Sequence, residues 1–443
     1  MNKIITVLAI VISAATIARA QQPTMQYYRP NDKLGLNMFE PSKNDTTQFT
    51  GLHVRIGGSF AQDYQSLTDR NDAAFRPTSK TDSTNANLLI PIAGGFNLAM
   101  ANLTLDGQLE DGIRTNLTVY LSSRHHSETW VKNGYLQFDK LLFLHSDFIN
   151  SVMESLTIRV GDLEVDYGDQ HFRRADGGNE IDNPFVENYI MDEFATEIGT
   201  EIYFHPRESG IIAMIGITDG MLNPTVVVSS QIDSSTKSSN SYNPAFHAKL
   251  GFDKQLSEDL RVRITGSIYK ESSTSSSTLF GGDRTGSHYF LVLENTAATT
   301  ASTAFSGRFN PSFSDAVTTF MINPFVKFGG LEFFGTYESA TGRTIRESST
   351  RGVTQLAADL IYRFGANENF WIGARYNTVS ATLPGNIADI TINRIVASAG
   401  WFLTQNIMMK GEYVSQEYKN YPTEDIHSGG KFSGFIVEAA LGF

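Results

Sequence analysis

Apolar and polar residues alternate along segment after segment of the chain, the period of a β-strand whose two faces meet different environments. In the closing segment Phe435, Val437, Ala439, Leu441 and Phe443 share one face, and Gly434, Ile436, Glu438, Ala440 and Gly442 share the other. Phe246, Ala248, Leu250 and Phe252 alternate with His247, Lys249, Gly251 and Asp253. Leu260, Val262, Ile264 and Ile268 alternate with Arg261, Arg263, Thr265 and Ser267. Leu331, Phe333 and Tyr337 oppose Glu332, Thr336 and Glu338, and Leu356, Ala358, Leu360, Tyr362 and Phe364 oppose Gln355, Asp359 and Arg363. Phe370, Ile372, Ala374 and Tyr376 oppose Gly373, Arg375 and Asn377. Each run is close to the roughly 10 residues a tilted strand needs to cross a bilayer. Lipid cannot solvate a carboxylate or guanidinium, whereas a wet interior can. The pattern therefore predicts an all-β fold, an antiparallel transmembrane β-barrel.

The connections alternate too. Short ones at 110–111, 206–210, 254–259, 329–330, 365–369 and 404–406 interleave with long polar ones at 61–85, 168–192, 219–243, 271–286, 341–351, 380–389 and 418–430. Short periplasmic turns and long external loops are the expected barrel asymmetry. The count over 50–443 is 16–18 strands, with the region 286–318 deciding between them. Residues 21–49 carry no strand pattern and are expected to form a lead-in segment, periplasmic or lumenal.

The start of the chain sets the compartment. Lys3, the apolar stretch Ile4 to Ile17 and the small residues around Ala18 and Ala20 predict a signal peptide over 1–20. With no cysteine in the chain, a lipid anchor on that residue, disulfides and thiolate metal sites are all excluded. The formal net charge of −12 makes nucleic acid an unsuitable partner. The expected location is the cell outer membrane, with its lipid as one partner. Nine histidines show no ligand spacing, and Asp162, Glu164 and Asp166 read as a lumen-facing ladder rather than a calcium site. No serine, histidine and acid form a nucleophile motif. Neither enzyme activity nor a cofactor or metal is expected. Trp130, Trp371 and Trp401 sit at strand ends and are expected in interfacial girdles.

Three stretches carry a family resemblance: Val131 to Phe138 (VKNGYLQF), Leu156 to Gly168 (LTIRVGDLEVDYG) and Asn183 to Ile198 (NPFVENYIMDEFATEI). They resemble the phosphate-selective porin O and P family of outer-membrane channels, in which such words frame a constriction loop. The terminal Phe443 likewise resembles the C-terminal signal of bacterial outer-membrane barrels. The resemblance implies a porin-like channel for passive diffusion of small hydrophilic solutes or ions, and it allows a homotrimer.

Charge separates this chain from that family's preference. Between Gly161 and Glu201 stand twelve acids against Arg173 and Arg174 alone. Acidic rings favour cations in a pore. Asp169, Arg173, Arg174, Asp176, Glu180, Asp182, Glu187 and Asp192 are therefore the candidate constriction, cation-leaning, with Gly177-Gly178 permitting a sharp inward fold. Arg261, Arg263, Arg363 and Arg375 are candidates for the lumen wall. The plainer readings are a solvated loop for the acids and internal ion pairing for the arginines. The functional alternatives are a phosphate- or anion-selective porin and a non-conducting envelope barrel that binds other proteins.

Overall fold

The computed structural model describes residues 22–97, 100–121, 129–220, 243–272, 274 and 277–443. The expected signal peptide 1–20 and most of the expected loop 219–243 lie outside the described residues.

Strands form wherever the alternation is regular. They are β1 (His53–Arg70), β2 (Gly95–Phe96), β3 (Met100–Glu110), β4 (Ile113–Leu121), β5 (Thr129–Phe138), β6 (Leu156–Glu164), β7 (Thr196–Phe204) and β8 (Ile211–Thr218). The series continues through β9 (Ala245–Gln255), β10 (Leu260–Glu271), β11 (Ala316–Phe328), β12 (Leu331–Arg343) and β13 (Arg351–Phe364). It ends with β14 (Phe370–Thr382), β15 (Asp389–Phe402), β16 (Ile407–Lys419) and β17 (Lys431–Gly442). The two-residue β2 merely extends the edge of β1 at Tyr64 and Gln65. The other sixteen strands make the wall among the described residues. Every sequential neighbour pairs antiparallel, and β1 closes the circle. Its first half pairs with β3, from His53 opposite Gln108, and its second half with β17, from Ser59 opposite Gly442 to Arg70 opposite Lys431. Among the described residues every wall strand pairs on both sides, the closure that a lipid-facing sheet requires.

The alternation sorts the faces as expected. Ile264, Ile268, Tyr337, Leu356, Leu360, Ile372 and Phe435 are exposed on the outside, while Arg263, Glu332, Glu338, Asp359, Arg375 and Glu438 are buried inside. At the rim with the short turns, Tyr362, Phe364, Phe370 and Trp401 stack in a row with centroids 5.8–6.0 Å apart. Each such pair is worth about 0.5–1.5 kcal/mol beyond area burial.

Three expectations change. The region 286–318 contributes no wall strand before Ala316: it belongs to a long connection, 272–315, with Tyr289, Val292 and Leu293 buried inside the barrel. The loop expected at 61–85 starts only after Arg70, because Gln62, Ser66 and Thr68 on the outer side of β1 imitate loop composition while Ala61, Asp63, Gln65 and Leu67 still alternate inward. Trp371 is not in a girdle. It points inward, 1% exposed, and its indole donates to the Pro184 carbonyl at 3.2 Å. Trp130 and Trp401 are exposed as expected.

Leu356 lies outward at mid-strand, opposite Tyr337. Leu356→Arg should lower the stability of the folded barrel in a bilayer by about 2–4 kcal/mol, the cost of a cation at mid-depth. Urea titration in liposomes would measure this, and an unchanged midpoint would place that position away from lipid.

Candidate functional site

The connection 165–195 leaves the long-loop rim after β6 and turns into the barrel, where nearly all of it is buried. Most of its backbone has no strand beside it, so its amides and carbonyls need other partners. Inward side chains of β13 to β16 supply them. Gln355 accepts from the Met191 amide at 3.0 Å and donates to its carbonyl at 2.9 Å. Asn377 accepts from the Ile190 amide at 2.6 Å, and Glu412 from that of Val186 at 2.8 Å. Lys410 donates to the Asn183 and Phe185 carbonyls, Arg375 to that of Glu187 and Arg394 to that of Asn188. The Arg375 guanidinium also lies 4.1 Å from the Phe185 ring centre and 4.2 Å from that of Tyr189. At the far end of the loop Gly177 and Gly178 take φ of 71° and 93°, values that a side chain would strain.

All eight candidate constriction residues sit on this loop and are buried. Arg174 holds Asp176 (2.6 and 3.0 Å) and Asp192 (2.5 and 3.0 Å). Arg308, from the connection 272–315, joins Asp192 and also reaches Glu187 at 2.7 Å. Asp169 takes two contacts of 2.8 Å from Arg263, one of 2.8 Å from the Thr265 hydroxyl and one of 3.1 Å from Lys249. Asp182 meets Arg29 at 2.8 Å. Arg173 donates to Asn37 at 3.0 Å and lies over Phe334. Among the described residues no cation pairs with Glu180, which accepts from the Ser59 hydroxyl at 3.1 Å and the Gly178 amide at 3.3 Å.

The four wall arginines are likewise engaged. Arg261 pairs with Asp253 (2.6 Å), Arg363 with Glu332 (2.7 Å) and Arg375 with Asp359 (2.7 Å), while Arg263 holds Asp169. Residues 22–52 run inside the short-turn mouth. Besides Arg29, this segment supplies Asn37, which donates to Glu332 at 2.7 Å, and Glu40, 2.7 Å from Arg263.

The second inward connection is fastened at the barrel's closing seam. His288 Nε2 donates to the Ala175 carbonyl at 3.0 Å, so its Nδ1 must face Asp63 at 2.7 Å and Glu438 at 3.1 Å with a proton. Burial opposes that charge, but Asp63 and Glu438 outweigh it and hold His288 well above the usual imidazole range. The three donor atoms are close enough together to hold a metal ion. Lys410, 2.8 Å from Glu438, already supplies the second positive charge. Two carboxylates, an imidazolium and an ammonium then balance without an ion.

Between the Gly177-Gly178-Asn179 turn and the β3–β6 wall remains a cavity of about 160 Å³. Its lining includes Arg29, Asp106, Arg114, Asn116, Asn133, Arg159, Glu164 and His171, with the rings of Tyr28, Tyr135 and Phe172. None of the eight candidate constriction residues is among its lining. Arg159 is set between the Tyr135 and Tyr203 rings and donates to Gln137 at 3.0 Å; Arg114 donates to the same amide oxygen at 2.8 Å. Arg55 adds a further guanidinium over Tyr28. The sequence reading passed over Arg55, Arg114 and Arg159. Arg55 stands between Val54 and Ile56 and Arg159 between Ile158 and Val160, and that alternation is the signal that could find them; Arg114, between Ile113 and Thr115, carries it on one side only.

A closed wall, apolar outside and charged inside, with long connections entering from one rim, has the properties that a bacterial outer membrane requires of a spanning protein. The chain is an outer-membrane β-barrel. No family model matches it, and no curated protein does. Among solved structures it is similar to the anion-selective porin from Comamonas acidovorans (10% identity, 88% of this chain and 100% of that one, TM-score 0.49). It is also similar to the outer membrane channel DcaP of Acinetobacter baumannii (10%, 90% and 99%, TM-score 0.49) and to OprB of Pseudomonas putida (10%, 89% and 94%, TM-score 0.48).

Two predictions follow from the loop's contacts. Arg375→Ala leaves Asp359 buried without its cation and frees the Glu187 carbonyl; loss of one partner of a buried pair costs about 3–5 kcal/mol. The denaturation midpoint should fall accordingly, and a midpoint within error of wild type would show the pair is dispensable.

The second prediction concerns pH. Burial pushes the Glu180 carboxyl up to about 7, and at Asp182 burial outweighs Arg29 with the same result, about 7. Acids that hold protons more tightly folded than unfolded stabilise the fold as pH drops through the folded value. The seating of 176–183 should therefore be firmest below about pH 7 and loosen above it. Hydrogen exchange, corrected for intrinsic rate, should show more protection at pH 6 than at pH 8, with a smaller difference in Glu180→Gln. Equal protection at both pH values would contradict it.

Proposed function

We propose that the protein is a porin-like channel through which small hydrophilic solutes diffuse passively, past the gap between the inward loop and the β3–β6 wall. The observation that carries this reading is the gap itself. It is lined by charged and amide side chains, and the loop beside it is held from behind by the strands. Such a lining replaces part of a solute's hydration, which an apolar plug would not do. The lumen is narrow because two connections and the segment 22–52 share it, so the conductance should be small for a sixteen-stranded barrel.

The charge preference depends on which groups a solute meets. A cation-leaning constriction requires the loop acids to act uncompensated. Asp169, Asp176, Asp182, Glu187 and Asp192 instead each touch an arginine. Their fields are largely spent on those partners. Arg114 and Arg159 line the gap, and Arg55 lies over the lining ring of Tyr28. Asp106 lies 3.9 Å from Arg114. This favours the second of the two selectivity readings, a mild preference for anions.

The reversal potential of the purified protein in a planar bilayer, under a salt gradient, tests both parts. The expected result is an ohmic conductance with anions favoured, moving toward cations in Arg114→Gln/Arg159→Gln. Cation preference in the wild type would restore the acidic-constriction reading. Absence of conductance would leave the non-conducting envelope barrel.

A further inference from the structure

One connection on the short-turn rim is unlike its neighbours. The stretches 111–112, 205–210, 256–259, 329–330, 365–369 and 403–406 are tight turns, but 139–155 folds a 3₁₀ turn (Leu142–Leu144) and a helix, α1 (Asp147–Met153). Ser146 caps the helix, its hydroxyl accepting from the Ile149 amide at 3.4 Å, and Asp147 stands in the first turn, where the helix dipole favours an acid. Only Met153 of the helix is buried. Phe148 is 78% exposed, Phe143 57% and Leu144 47%, and Leu142 and Val152 are exposed as well. Phe148, Ile149 and Val152 share one side of α1; Asp147, Ser151 and Glu154 take the rest.

Large apolar side chains exposed together on a surface in this way need a covering. Its surroundings indicate which. The strands on either side of the connection present outward Leu136 and Val160, and the same rim carries the stacked row of Phe364, Phe370 and Trp401. The patch thus adjoins the lipid-facing surface at Leu136 and Val160, while the aromatic row, on β13 to β15, shares the rim at a distance around the wall. We propose that Leu142 to Val152 lie in the plane of the periplasmic leaflet, with phospholipid covering Phe143, Phe148 and Val152 and the polar side of α1 facing the headgroups and water. A short amphipathic helix binds an interface by burying its apolar side at the acyl boundary. The segment would be a lateral anchor outside the wall, fixing the depth and tilt of the barrel at this rim. The inference rests on the barrel's orientation and not on its conductance.

The absence of cysteine makes the test clean. Single cysteines at Phe143→Cys, Phe148→Cys, Val152→Cys, Asp147→Cys and Ser151→Cys would carry a nitroxide in vesicles of phosphatidylethanolamine and phosphatidylglycerol. Leu356→Cys provides the lipid reference and Glu258→Cys the aqueous one. Collisions with oxygen and with a water-soluble nickel chelate are then compared. Labels at 143, 148 and 152 should show oxygen-to-nickel ratios near that of 356 and several-fold above those at 147 and 151. Strong nickel access at 148 would mean the patch is open to water, and low access to both reagents would mean that protein covers it, a second copy included. Either result overturns the proposal.

Discussion

A loop placed inside a barrel has nothing like a sheet to pair with, and an inward-facing polar wall has nothing like bulk water to solvate it. Each supplies what the other lacks. Gln355, Arg375, Asn377, Arg394, Lys410 and Glu412 would be costly to bury if left alone. They spend their donors and acceptors on the backbone of 183–191. The seated loop and the narrow cavity beside it both depend on that exchange.

The same reciprocity governs charge. In sequence, 161–201 is a block of acids with two arginines. In space its acids meet Arg29 from the mouth segment, Lys249 and Arg263 from β9 and β10, and Arg308 from the second inward connection. Part of the local excess is thus offset by cations brought from the rest of the chain. Arg114 and Arg159 stand on the other side of the lumen, beside the remaining cavity, with Asp106 and Glu164.

The wall was legible because lipid enforces a period of two along most of each strand. Val437 and Glu438 could be assigned to faces from position alone, and so could Leu360 and Asp359. Legibility failed where that constraint lapses. Above the membrane β1 carries Gln62, Ser66 and Thr68 outward, and reads as loop. Trp371 was misplaced because a strand-end tryptophan suits an interface on either face, and only the Pro184 carbonyl decides it. The inward course of 168–192 was suggested by Gly177-Gly178. The partners of its charges were not, since they lie up to 159 residues away, as Glu332 does from Arg173, and no local pattern links them. Residues 286–318 hid a lumenal connection whose apolar members, Tyr289 and Val292, belong to the interior and not to a strand.

The seam between the first and last strands has a consequence for assembly. Asp63 stands on β1 and Glu438 on β17, directly opposite each other in the register, and His288 touches both. The imidazolium finds its two carboxylates side by side only after the last strand has docked on the first. Closing the cylinder therefore also completes this clasp on its contents. A chain lacking its final strand would lack the clasp.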